Sequence, residues 1–140
     1  MIVDSSVWIA YLRGDQTAAT ARLDKGLGRQ EPLWMPGVVY MEVLRGARDR
    51  FHFARIQMQL DKVPPLVLPN LHETCLYAAA LYARRRWRGT TIRNANDCLI
   101  AACAIEAGEP LLHSDRDFDR IAAIDRSEER RVGKECLRLC

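Results

Sequence analysis

Two observations predict an α/β fold with a mainly parallel sheet. Short apolar runs, Met1-Ile2-Val3, Leu66-Val67-Leu68 and Pro110-Leu111-Leu112-His113, are separated by segments whose apolar residues recur at helical spacing. Strands that alternate with helices are joined by crossovers, which leave neighbouring strands parallel. The second observation is size and composition. The chain has 140 residues, 49% hydrophobic and 28% charged, which suits one folded domain around one core.

Each element has a local reason. The first strand ends at Asp4, and Ser5 to Leu12 then keeps helical spacing until Gly14 stops it. A second helix is expected over 16–27. Leu33-Trp34-Met35 leads through Pro36-Gly37 into the helix VVYMEVLRGA, and Pro36 suits the helix start because the N–H it lacks would have no partner there. Residues 50–61 have helical spacing, and Pro64-Pro65 ends them before the second strand. Asn70 followed by Glu73 has the form of a capping box, opening a long helix that runs to Trp87. Asn94 caps the next helix, NDCLIAACAIEAG, which Gly108 closes before the last strand.

Composition excludes several classes. No apolar stretch reaches the roughly 18 residues of a membrane helix, and the opening MIVDSSVW has no basic region of a secretory signal, so a cytoplasmic protein is expected. Cys75, Cys98, Cys103, Cys136 and Cys140 form no C-x-x-C pair and have no histidine at zinc-finger spacing. Reduced, packed thiols are expected. Net charge is only +3, but the positives cluster in ARRRWRG (83–89) with Arg93 beyond. Such a run can attract phosphates or complement a helix dipole, and composition weighs the two evenly. Residues 126–136, RSEERRVGKEC, read as the in-frame translation of a sequencing adaptor. The domain is therefore expected over 1–125, with 126–140 a non-native or disordered tail.

The acidic residues carry the chemistry. Asp4, Asp97 and Asp115 each stand where a helix begins, so helix capping explains any one of them. It does not explain the set. Asp4 and Asp115 follow apolar strands and reach one edge of a parallel sheet, where ligands bind in such folds. Asp97 tops the stripe Ile100, Ala101 and Ala104, and Glu42 lies inside an apolar helix where an unpaired charge would be costly. A hard divalent cation, Mg²⁺ or Mn²⁺, accounts for carboxylates gathered in this way, and phosphodiester hydrolysis is the chemistry that fits. His52, His72 and His113 form no nucleophilic triad.

The segments MIVDSSVWIAYLRG, MPGVVYMEVLRGAR, RRRWRGTTIRNANDCLIAACAIEAG and PLLHSDRDFDRI, in that order, resemble the PIN-domain ribonucleases and most closely the VapC toxins of bacterial toxin–antitoxin pairs. The resemblance covers 1–125. It implies a three-layer α/β/α sandwich and a Mg²⁺- or Mn²⁺-dependent endoribonuclease. It carries the catalytic and metal-binding acids onto Asp4, Glu42, Asp97 and Asp115, with Ser6 supporting the first acid and Asp117 a further ligand. It also implies a homodimer, a cognate VapB-type antitoxin and an RNA substrate, for which Arg84, Arg85, Arg86, Arg88 and Arg93 are the candidate contacts. Two other readings compete. A receiver-like signalling domain would need a suitably placed lysine, which Lys25, Lys62 and Lys134 do not supply. A catalytically silent PIN domain that binds RNA or a partner protein is the alternative that the intact acid set argues against.

Overall fold

A computed structural model of the chain describes residues 1–87, 89, 94–115 and 117–122. Arg88, Arg93 and the tail 126–140 lie outside the described residues. The elements run β1 (Ile2–Val3), α1 (Ser5–Arg13), α2 (Ala18–Gly28), α3 (Gly37–Leu44), α4 (Arg50–Leu60), α5 (Leu71–Trp87), α6 (Ala95–Ala107) and β2 (Leu111–Leu112), with 117–122 again helical. The α/β class is as expected. The chain forms two compact units, Met1–Val67 with Leu112–Ser114, and Leu68–Leu111 with the residues from Asp115 onward.

In the first unit the Asp4 amide donates to the Leu112 carbonyl at 2.9 Å, which lays β1 beside the end of β2. Ile2 bridges Trp34 and Met35 bridges Pro65, both in parallel sense. The strand expected over 66–68 shrinks to that single bridge at Pro65. Pro64 and Pro65 have no N–H to give a ladder, so the contact is limited to the Met35 amide on the Pro64 carbonyl (2.9 Å) and the Leu66 amide on the Met35 carbonyl (2.8 Å). Trp34 and Met35 are the extended residues that the apolar pattern does not mark as a strand.

The helices of this unit start and stop on recognisable chemistry. Asp4 caps α1, Thr17 and Thr20 form a reciprocal capping box at α2, and Asp49 caps α4 by accepting from the His52 amide at 2.7 Å. Pro36 stands one place earlier than expected: its ψ of 140° is extended, so it is the N-cap residue of α3 and Gly37 is the first helical one. Gly14 ends α1 at a φ of 82°, a left-handed conformation that a side chain would strain. Helix α1 packs on α2 and α3, and α3 on α4. Ile2, Val3, Val7, Leu23, Val39 and Leu60 are among the residues fully enclosed.

In the second unit α5 packs along α6. Asn70 accepts from the Glu73 amide at 3.3 Å, the forward half of the expected capping box. Asn94 caps α6 through the Asn96 amide, and Gly108 ends it at a φ of 63°. Cys98 and the continuous run 100–104 are buried, so α6 is enclosed on nearly every side. That is why NDCLIAACAIEAG is apolar all round, and its alanines and cysteines let neighbours approach closely. Phe118, Ile121 and Ala122 bury the apolar side of the turn at 117–122.

Candidate metal centre

Three carboxylates converge in the second unit. Asp97 lies in the first turn of α6, and Asp115 and Asp117 follow β2; one oxygen from each lies within 4.8 Å of the others. Local hydrogen bonding produces the arrangement. The Asp115 carboxylate accepts from the Asp117 amide at 2.9 Å, and the Asp115 carbonyl accepts from the Phe118 amide at 3.3 Å, so Asp115 caps the helical turn that carries Asp117. Capping and site formation are one event here. Asp117, only 3% exposed, also accepts at Oδ1 from Arg120 Nη1 at 2.8 Å. Asp119 is exposed.

The other two acids belong to the first unit. Asp4 is 3% exposed, and its Oδ2 accepts from both the Ser6 amide (3.1 Å) and the Ser6 hydroxyl. The Ser6 hydroxyl is in turn 3.3 Å from that of Ser114. Burial pushes the Asp4 carboxyl above the usual carboxylate range; hydrogen bonds from Ser6 and Ser5 pull it back in part, and the charge of Glu42 adds to the rise. Glu42, 4% exposed on α3, has Oε1 3.8 Å from Arg45 Nη2. Asp4 and Glu42 therefore share one electrostatic environment.

The acids anticipated from the sequence thus fall into two groups, Asp97 with Asp115 and Asp4 with Glu42, and Asp117 joins the first as a full member. Asp117, two residues past Asp115, gives no periodic signal of its own; the clue was Asp115 as a cap, which fixes the direction of the next residues. Arg120 and Arg45, each three residues beyond a buried acid, and Ser114 were missed. The i,i+3 spacing was the signal for both arginines.

The basic run divides. Arg86 is exposed and Arg84 half-buried, but Arg85 is only 4% exposed, with its Nε buried and without a hydrogen-bond partner among the described residues. Its place in the interior of this unit takes Arg85 out of the surface set named for RNA contact. The Cys98 thiol senses Arg85, Asp97 and Asp117, and burial is the largest reason that it is pushed up to about 12.

The carboxylates stand on a fold with clear relatives. The PIN domain family matches residues 1–124, and the chain belongs to it. Over 127 residues it is 33% identical to ribonuclease VapC11 of Mycobacterium tuberculosis and to a VapC ribonuclease of Mycobacterium bovis, in alignments spanning 89% of this chain and 92% of each relative. Within the PIN-domain proteins it belongs with the VapC family. The fold is similar to that in VapBC-1 from nontypeable Haemophilus influenzae, with a TM-score of 0.69 at 23% identity, covering 99% of this chain and 95% of that one. It is also similar to VapBC2 from Rickettsia felis, solved bound to a DNA fragment from its promoter, with a TM-score of 0.68 at 16% identity, covering 99% and 96%.

Proposed function

We propose that this chain is the toxin of a VapBC-type pair and cleaves RNA internally with the aid of Mg²⁺ or Mn²⁺. The observation that carries the reading is the convergence of Asp97, Asp115 and Asp117 within 4.8 Å. At an effective dielectric of about 20, two unit charges about 4 Å apart repel by roughly 4 kcal/mol, so the converged carboxylates favour positive charge among them, of which Arg120 on Asp117 supplies part. An all-oxygen donor set suits a hard cation that retains several waters.

Asp97, Asp115 and Asp117 would hold the cation, and Asp4 and Glu42 complete the acidic catalytic set. When bound, the cation polarises a phosphoryl oxygen and eases deprotonation of water at neutral pH. The chain supplies the ordering. Asp115 directs Asp117 by capping its helix, while Ser6 grips one oxygen of Asp4 and so fixes the plane of that carboxylate. Arg86 and Arg84, with Arg88 and Arg93, are suited to contact RNA phosphates, a contribution that weakens with salt. The partners are an RNA substrate, a VapB-type antitoxin and a second copy of the chain. The place of action is the cytoplasm; among the described residues no helix is long and apolar enough to cross a membrane.

The test is cleavage of total bacterial RNA by purified protein with Mg²⁺, with Mn²⁺ and with chelator, beside an Asp4→Ala, Asp97→Ala double variant. Discrete fragments that need the cation and vanish in the variant are expected. Intact RNA with a folded, cation-binding wild type would overturn the catalytic reading.

A further inference from the structure

Asp117 is almost wholly buried, yet it is paired with a largely exposed cation. Arg120 lies one helical turn on, its side chain 54% exposed, and its Nη1 meets Asp117 Oδ1 at 2.8 Å. An exposed i,i+3 ion pair between two surface residues would carry little meaning. This pair differs in two respects. Its acid is enclosed, and that acid shares a 4.8 Å cluster with Asp97 and Asp115, so the guanidinium pairs with one member of a group of three converging carboxylates. The same layout recurs in the other unit, where exposed Arg45 lies 3.8 Å from buried Glu42, again three residues on.

We infer that Arg120 is a positioning residue that acts as a resident counter-ion at Asp117 and competes with the divalent cation for that carboxylate. The inference rests on the reading of the Asp97–Asp115–Asp117 cluster as a metal centre. Two effects of the guanidinium oppose each other. Its hydrogen bond helps to hold the Asp117 carboxylate in place, which would favour cation binding. Its positive charge repels a dication on the same carboxylates. The first effect is small because Asp117 is already held by burial and by its amide on Asp115; the second acts directly on the carboxylate that Arg120 touches. Competition therefore wins. At an assumed separation of about 6 Å, a unit charge and a dication repel enough, even in water, to change affinity by about tenfold. An exposed side chain can swing away and give up part of that repulsion, so three- to tenfold is the expected range.

The test is Mn²⁺ binding measured by the electron paramagnetic resonance of the free ion, with thermal unfolding in chelator recorded beside it. Arg120→Gln is expected to bind Mn²⁺ three- to tenfold more tightly than wild type and to unfold at a lower temperature in chelator. Arg120→Lys keeps the charge but loses the planar fork, so its affinity should lie near that of wild type. In an Asp117→Asn background the Arg120→Gln effect should disappear, because the partner through which Arg120 acts is gone. Unchanged or weaker Mn²⁺ binding by Arg120→Gln, with wild type binding normally, overturns the inference and leaves the metal centre standing. A wild type that binds no Mn²⁺ at millimolar concentration overturns both.

Discussion

Asp4 shows how one side chain can serve the fold and oppose it. It caps α1, and its carboxylate accepts two hydrogen bonds from Ser6, but its burial raises its proton affinity in the folded state above the ordinary value of 3.8. The sign follows from linkage. A raised folded pKa contributes stability below the unfolded value and loses it as pH rises through the folded one, so at neutral pH the buried charge works against the fold. Asn in its place retains an N-cap acceptor without the charge. Asp4→Asn is therefore expected to melt at a higher temperature than wild type in chelator at pH 7, by a margin that narrows as pH falls towards 3.8. If Asp4 serves the proposed reaction, the same change should also lower RNA cleavage, by about a hundredfold or more. Calorimetry over a pH series and a cleavage time course check the two halves.

At the scale of elements, α4 separates what packs from what does not. Ile56 and Leu60 are buried one turn apart, while Phe51 and Met58 on the same helix are exposed. Leu60→Ala should cost about 2–5 kcal/mol in a denaturant titration, and Met58→Ser should stay within about 0.5 kcal/mol. Helices α1, α5 and α6 were legible because each has a punctuating residue: Asp4, Asn70 and Asn94 at the starts, Gly14 and Gly108 at two ends. The extended residues Trp34, Met35 and Pro65 were less so. They make isolated bridges, too short for any alternation, and their pairing comes from the packing of the unit rather than from a local pattern. Among the acids, Asp4 and Asp97 could be read from caps and helix faces. The enrolment of Asp117 depends on the hydrogen bond from its own amide to Asp115, which no spacing rule contains.

For the whole molecule, two buried thiols set an alkaline limit. Burial chiefly pushes Cys98 up to about 12 and Cys103 up to about 11, from an ordinary value of 9.0. Above 9.0 the unfolded thiols ionise while the folded ones keep their protons, so the unfolded state gains. Stability should fall from that point until the folded thiols titrate in turn, by up to about 1.4 kcal/mol per pH unit for each thiol. Urea titrations at pH 8 and pH 10 test this, with a Cys98→Ala, Cys103→Ala variant expected to lose the extra alkaline slope.

The division of the chain has one more consequence, for the gene. The unit that holds Asp4 and Glu42 takes in Leu112–Ser114, which lie beyond the whole of α5 and α6, and the chain then passes at once to Asp115 in the other unit. A nonsense mutation at any codon up to 111 therefore removes the strand residue beneath Asp4 together with Asp115 and Asp117.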